Sequence, residues 1–207
     1  MLTILGKATS INVRKVLWTC AELGLPFERE DWGAGFQSTA QESFLRLNPN
    51  AQVPVLVDGD FVLWESNTIC RYLCNRAGDQ QLLPQEARSR ARVEQWMDWQ
   101  ATDLNSAWRY AFMALVRESP AFRDPVQIRS SIDSWNRHIG ILARQLEATG
   151  AFVCGEGFTL ADIVLGLSLN RWRLTPIERP AHPVLEDYLA RLGERSGHAA
   201  FCANGVP

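Results

Sequence analysis

The sequence predicts a mixed α/β unit followed by an all-α unit, and two observations carry that prediction. Up to about residue 78, short β-type runs alternate with helical-period stretches and end in an apolar hairpin around Asp58-Gly59-Asp60. Beyond Pro84 the apolar residues keep helical spacing and no convincing strand appears. A chain of 207 residues is long enough to bury two such cores.

Residues 2–5 read as a strand. Val13, Val16, Leu17, Cys20 and Leu23 then recur at helical spacing, and Gly24 stands where a helix stops. Residues 26–30 supply a second strand, and Gly33 and Gly35 mark the loop after it. A short amphipathic helix over about 41–47 ends at Asn48-Pro49-Asn50. Residues 53–57 and 61–63 flank the Asp-Gly turn, and a further helix runs from about 65 to 76. A mixed sheet with helices packed on it accommodates this order.

Residues 79–84 form a linker, which divides a first domain at 1–78 from a second at 85–207. In the second, Val93, Trp96, Met97, Gln100, Leu104, Ala107, Trp108, Ala111 and Leu115 keep one helical period over about 25 residues. Another helix fits 126–149, stopped by Gly150. Thr159-Leu160-Ala161-Asp162 has capping-box spacing, with Asp in place of Glu, and the nearly all-apolar helix after it should be buried on every side. A last helix covers about 184–195.

Composition excludes several function classes. Net charge is −2 and the 21 basic residues are scattered, so no nucleic-acid face is visible. The longest apolar run, around residues 160–169, falls short of the roughly twenty residues a bilayer span needs, and the first residues are too short a run for a signal peptide. The expectation is a cytoplasmic protein that meets no membrane. Five cysteines form no small-scaffold pattern and read as buried thiols. Cys70 and Cys74 share a helix face, where core packing is the commoner use than a redox pair. Three histidines far apart suggest no metal site.

Three places in the first domain can carry chemistry. Ser10 and Asn12 stand where the first helix begins, a position that favours an anion, although serine or asparagine there also serves as an ordinary cap. Gln52-Val53-Pro54 opens a strand, where proline is tolerated. Glu65-Ser66-Asn67 opens the third helix, where a serine hydroxyl and free N–H groups suit a carboxylate and Glu65 suits an ammonium. A capped helix with an acidic start accounts for the last equally well.

Order and spacing say more than each place alone. Ser10-x-Asn12-x-Arg14-Lys15-Val16, then Asn48-Pro49-Asn50-x-x-Val53-Pro54-Val55-Leu56, then Glu65-Ser66-x-x-Ile69, followed by the helical part with Thr159-Leu160-Ala161-Asp162, resemble the soluble glutathione transferase family. The resemblance implies a thioredoxin-like N-terminal domain, an all-helical C-terminal domain, a homodimer, and glutathione as co-substrate with no tightly bound cofactor. It implies a cis Pro54, with the Val53 backbone pairing with the cysteinyl part of glutathione, and Glu65 and Ser66 on its γ-glutamyl end. Relatives with Gly-Lys before the Val-Pro pair use the lysine on the glycine carboxylate; here Ala51-Gln52 stand there, and the Gln52 amide is the remaining donor.

The tyrosines, Tyr72, Tyr110 and Tyr188, all lie away from the first strand, and no cysteine lies near Ser10. The chain therefore resembles the serine-type, theta-like members, and also the nu-like bacterial ones in which an asparagine two residues on faces the sulfur. Ser10 and Asn12 are the catalytic candidates. Trp99, Asp103 and Tyr110 form a second stripe on the long helix, with Trp108 and Phe112 close to it. Trp99, Trp108 and Phe112 are candidates to line an apolar second-substrate site, and Asp103 to reach the partner subunit's glutathione; aromatics at helical spacing also serve simply as core. The expected reaction is conjugation of glutathione to a small hydrophobic electrophile. Its rivals are glutathione-dependent disulfide reduction and a non-catalytic protein that keeps the fold.

Overall fold

The computed structural model describes residues 1–207. Strand β1 (Leu2–Leu5) lies inside a four-stranded sheet ordered β2-β1-β3-β4. Helix α1 (Ile11–Glu22) carries the chain back so that β2 (Phe27–Glu30) pairs with β1 in parallel, as a helical crossover requires. On the other side β3 (Val55–Asp58) runs antiparallel to β1, and β4 (Phe61–Trp64) closes the expected hairpin with Phe61 opposite Asp58.

Both faces of the sheet are covered. Leu5 and Val55, paired across β1 and β3, pack on Phe44 and Trp32. Ile4 and Leu56, paired on the opposite face by the two-residue alternation of strands, are fully buried as well. Phe44 belongs to α2 (Glu42–Leu45), a single turn that is shorter than the spacing predicts. Its end tightens, with Leu47 N–H donating to the Phe44 carbonyl at 2.9 Å, and Pro49 disfavours any return to helical backbone at Asn48. Helix α3 (Ser66–Ala77) packs on α1, with the Thr19 hydroxyl 3.2 Å from Cys70 Sγ. All five cysteines are free thiols, and Cys70 and Cys74 are fully buried. Burial pushes the thiol of Cys70 up to about 11 and that of Cys20 to about 12, so both stay protonated and serve as core.

The single long helix expected after the linker is interrupted. Between α4 (Ala87–Trp99) and α5 (Asn105–Leu115) lies one π turn, Gln100–Leu104, whose wider bonds rotate everything after it relative to a regular helix. Helix α6 (Pro125–Thr149) opens with Pro125 in its first turn and Asp124 accepting from Val126 N–H at 2.9 Å. It ends at Gly150, whose φ of +82° is left-handed backbone that costs glycine nothing. Helix α7 (Leu160–Leu174) is buried almost throughout, as its apolar sequence predicts, and takes Ser168, Asn170 and Arg171 inside with it. A capping box at Thr159 and Asp162 starts it, and α8 (Pro183–Gly193) follows. No helix is long and apolar enough to cross a membrane.

The chain packs as two units, Met1–Leu83 with Arg195–Asn204, and Pro84–Glu194 with Gly205–Pro207. Residues 195–204, expected within the helical domain, belong instead to the first unit. The reason lies on α1. Trp18 is a large side chain with no exposed surface, and it is covered by the segment that includes α9 (His198–Phe201), with the His198 ring 5.7 Å away. Glu22 accepts from Trp18 Nε1 at 2.8 Å and from Arg195 Nη2 at 2.6 Å.

Candidate functional site

Leu5, Val55 and Trp64 lie side by side across β1, β3 and β4. Each marks the point where its strand meets a candidate segment. β1 runs on through Gly6 to Ser10, Val53-Pro54 lead into β3, and β4 leads into Glu65-Ser66. The strand register therefore delivers all three sequence-predicted segments to one end of the sheet.

Gly6 draws two of them together. Its φ is +149°, and a Cβ there would stand 2.5 Å from Val13 Cγ2 and 3.0 Å from the Val53 Cβ. The start of α1 and the loop before β3 can thus approach because this residue has no side chain. Gly6→Ala should cost about 1–3 kcal/mol by forcing both neighbours aside, read as a lowered urea midpoint. A midpoint equal to wild type would mean that the approach is not tight.

The polar groups at this end are left unused by the fold. Ser10 occupies the cap position of α1 with extended backbone, yet its side chain makes no capping bond. The capping alternative for Ser10 is thereby removed. Asn12, half-buried two residues on, has no side-chain hydrogen bond within the chain either. The Val53-Pro54 peptide is cis. Neither the N–H nor the C=O of Val53 joins the hydrogen bonds that tie the loops together, whereas Asn48 braces the same loop by donating to the Gln52 carbonyl at 2.8 Å. The Gln52 side chain is exposed.

Glu65 has φ +75° and ψ +107° and makes no capping bond at α3, and Ser66 beside it is buried. A non-glycine residue in such a conformation costs about 1–3 kcal/mol and persists where the surroundings impose it, commonly at ligand clamps. The exposed Glu65 carboxylate, the Ser66 hydroxyl and the free N–H groups of a twelve-residue helix start can together receive a group bearing both charges. Sequence reasoning did not single out Gly6, nor the buried pair of Lys15 and Asn67 just behind Ser66, where Lys15 Nζ donates to Asn67 Oδ1 at 3.2 Å. A lysine inside an otherwise apolar helix period was the available signal for the second.

The candidates in the helical unit divide. Trp108 and Phe112 pack edge to face at 5.4 Å, and the Arg171 guanidinium lies over both rings, at 4.6 and 4.1 Å. Trp99 stands apart in a second aromatic group with Trp96 and His138. Asp103 is exposed within the π turn and accepts from the Thr102 hydroxyl, and Tyr110 packs on Phe122. Asp103 shares a surface cavity with His138, the ring partner of Trp99, whereas Tyr110 lies beyond the π turn.

Residues 1–75 match the family described as Glutathione S-transferase, N-terminal domain, and residues 120–191 match Glutathione S-transferase, C-terminal domain. The chain is 37% identical over 199 residues to Glutathione S-transferase GstB of Escherichia coli strain K12, covering 87% of this chain and 95% of that protein. It is 31% identical over 172 residues to Glutathione S-transferase 3 of Zea mays, covering 78% of this chain and 73% of that one. Among solved structures it resembles the theta class glutathione S-transferase of Xanthomonas axonopodis pv. citri with glutathione bound, with a TM-score of 0.87 and 35% identity over 97% of this chain and 96% of that one.

Proposed function

The chain belongs to the glutathione transferase family, and from that premise we propose that it joins the sulfur of its co-substrate glutathione to a small hydrophobic electrophile. One observation carries the reading: the row Leu5, Val55, Trp64 gathers Ser10, Asn12, the Val53 peptide, Glu65 and Ser66 at one end of the sheet, and the fold leaves their polar groups for a ligand.

Each group has a role in that reading. Glu65 takes the α-ammonium of the γ-glutamyl residue, while the Ser66 hydroxyl and the α3 N–H groups take its carboxylate. The Val53 N–H and C=O pair with the cysteinyl peptide, and Gln52 hydrogen-bonds the glycine carboxylate. Ser10 donates its hydroxyl proton in a hydrogen bond to the sulfur, favouring the thiolate, and Asn12 orients or assists it. The thiolate attacks the electrophilic carbon, a C–S bond forms, and the leaving group departs with its electron pair. Trp108 and Phe112 line the apolar second site, Asp103 reaches toward the glutathione of a partner subunit in a homodimer, and the protein works in the cytoplasm.

The Asn12 amide, without an internal partner two residues after Ser10, favours a second activity, glutathione-dependent disulfide reduction. Calorimetry with glutathione, followed by turnover of an aryl halide and of a small glutathione mixed disulfide, separates the cases. Binding with conjugation as the faster reaction is the expected result. Binding with reduction alone moves the function to the second reading, and no binding overturns both.

A further inference from the structure

The α-carboxylate of a γ-glutamyl group needs positive charge, and the first turn of α3 holds no Lys or Arg of its own: it reads Ser66-Asn67-Thr68-Ile69. The helix dipole supplies part of that charge. A full unit lies directly behind it. Lys15, on the second turn of α1, is 1% exposed and donates from Nζ to Asn67 Oδ1 at 3.2 Å, and Asn67 is itself 7% exposed. Its ammonium is also felt at Cys70, one turn further along α3, where it acts to lower the thiol pKa against the larger effect of burial. Cys70 remains a neutral thiol and contributes no opposing charge there.

We infer that Lys15 is a positioning residue for glutathione, supplying through Asn67 the positive potential that receives the γ-glutamyl α-carboxylate. This rests on the glutathione reading above and deepens it. The hydrogen bond fixes the Asn67 amide with its oxygen toward the ammonium, so the Nδ2 donors lie on the other side of the amide. The charge itself acts through the first turn. Across about 7 Å of partly buried protein, a unit charge changes the binding of a carboxylate by roughly tenfold or more. Because burial excludes counterions from Lys15, salt weakens this effect less than it would a surface lysine.

The test is calorimetry on the full chain with two ligands, glutathione and γ-aminobutyryl-cysteinyl-glycine, which lacks only the α-carboxylate. Lys15→Met should weaken glutathione about tenfold or more and the analogue less than twofold. Equal losses for both ligands would assign Lys15 to the fold alone and overturn the inference, as would no loss for glutathione. Asn67→Asp guards against misfolding of the first variant, because it sets a carboxylate against Lys15 and neutralises it in place. That variant should melt at or above the wild-type temperature yet bind glutathione about tenfold more weakly, with the analogue unchanged. Wild-type affinity for glutathione in Asn67→Asp overturns the inference. A wild-type chain that binds neither ligand overturns the glutathione reading itself, a result distinct from the other outcomes.

Discussion

Ser10→Ala should conjugate an aryl halide about tenfold more slowly than wild type at pH 6, and the deficit should disappear near pH 9, while retention on immobilised glutathione stays nearly intact. The arithmetic starts from a free thiol of pKa about 8.5. If the Ser10 hydroxyl lowers that by about two units, the thiolate fraction at pH 6 rises roughly 80-fold. A less basic thiolate is also a poorer nucleophile, and a Brønsted slope of about 0.4–0.5 takes back about six- to tenfold. The remainder at pH 6 is about tenfold. At pH 9 wild type and variant are both largely ionised, and the more basic sulfur of the variant reacts at least as fast. A deficit that is the same at both pH values would mean that Ser10 acts by placing the sulfur rather than by ionising it. The modest net gain also says where most of the acceleration lies, in holding the electrophile beside the sulfur.

The second large effect is on stability. Asp162→Ala should cost about 3–5 kcal/mol, a large share of what a domain has. Asp162 has no exposed surface, and its carboxylate accepts four hydrogen bonds. Oδ1 takes Val153 N–H at 2.9 Å and the Tyr188 hydroxyl at 3.0 Å, and Oδ2 takes Thr159 N–H at 2.8 Å and the Thr159 hydroxyl at 3.0 Å. Alanine leaves four donors facing an apolar gap at the start of α7, the most buried helix of its unit. Burial still outweighs the four donors and pushes the carboxyl up to about 6 from 3.8. The folded chain therefore holds this proton more tightly than the unfolded chain does. The stability it contributes is complete below the unfolded value and is lost as pH rises through about 6. The cost of Asp162→Ala should accordingly be greater at pH 5 than at pH 7.5 in urea melts. A cost below about 1 kcal/mol, or one that grows with pH, would contradict this account of the network.

What the sequence made legible follows from which interactions are local. The hairpin at Asp58-Gly59, the stop at Gly150 and the Thr159-Asp162 box depend on residues within a few positions of one another, and all appear where the spacing predicts. The π turn at Gln100–Leu104 left no such mark. Apolar periodicity on either side of it is helical, and only the change of phase, which depends on packing, gives it away. The docking of Arg195–Asn204 on α1 is likewise long-range, resting on Glu22 and Trp18.

At the candidate site, residue types and spacing pointed to segments that the strand register brings to one end of the sheet, but not to their local geometry. Ser10 looks identical in sequence whether its hydroxyl caps α1 or stays free; only the folded chain distinguishes the two. The φ of Glu65 and the close approach at Gly6 are backbone facts that no side-chain pattern announces.

The return of Arg195–Asn204 to the first unit sets an order on biosynthesis. Domains of a growing chain generally fold from the N-terminus as they emerge. Here the sheet and its helices can form early, but the cover over Trp18 and the partner of Glu22 lie some 170 residues downstream. On the ribosome the first unit thus waits, with Trp18 uncovered, until the helical half has been made. The first part of the protein to be synthesised is the last to be finished.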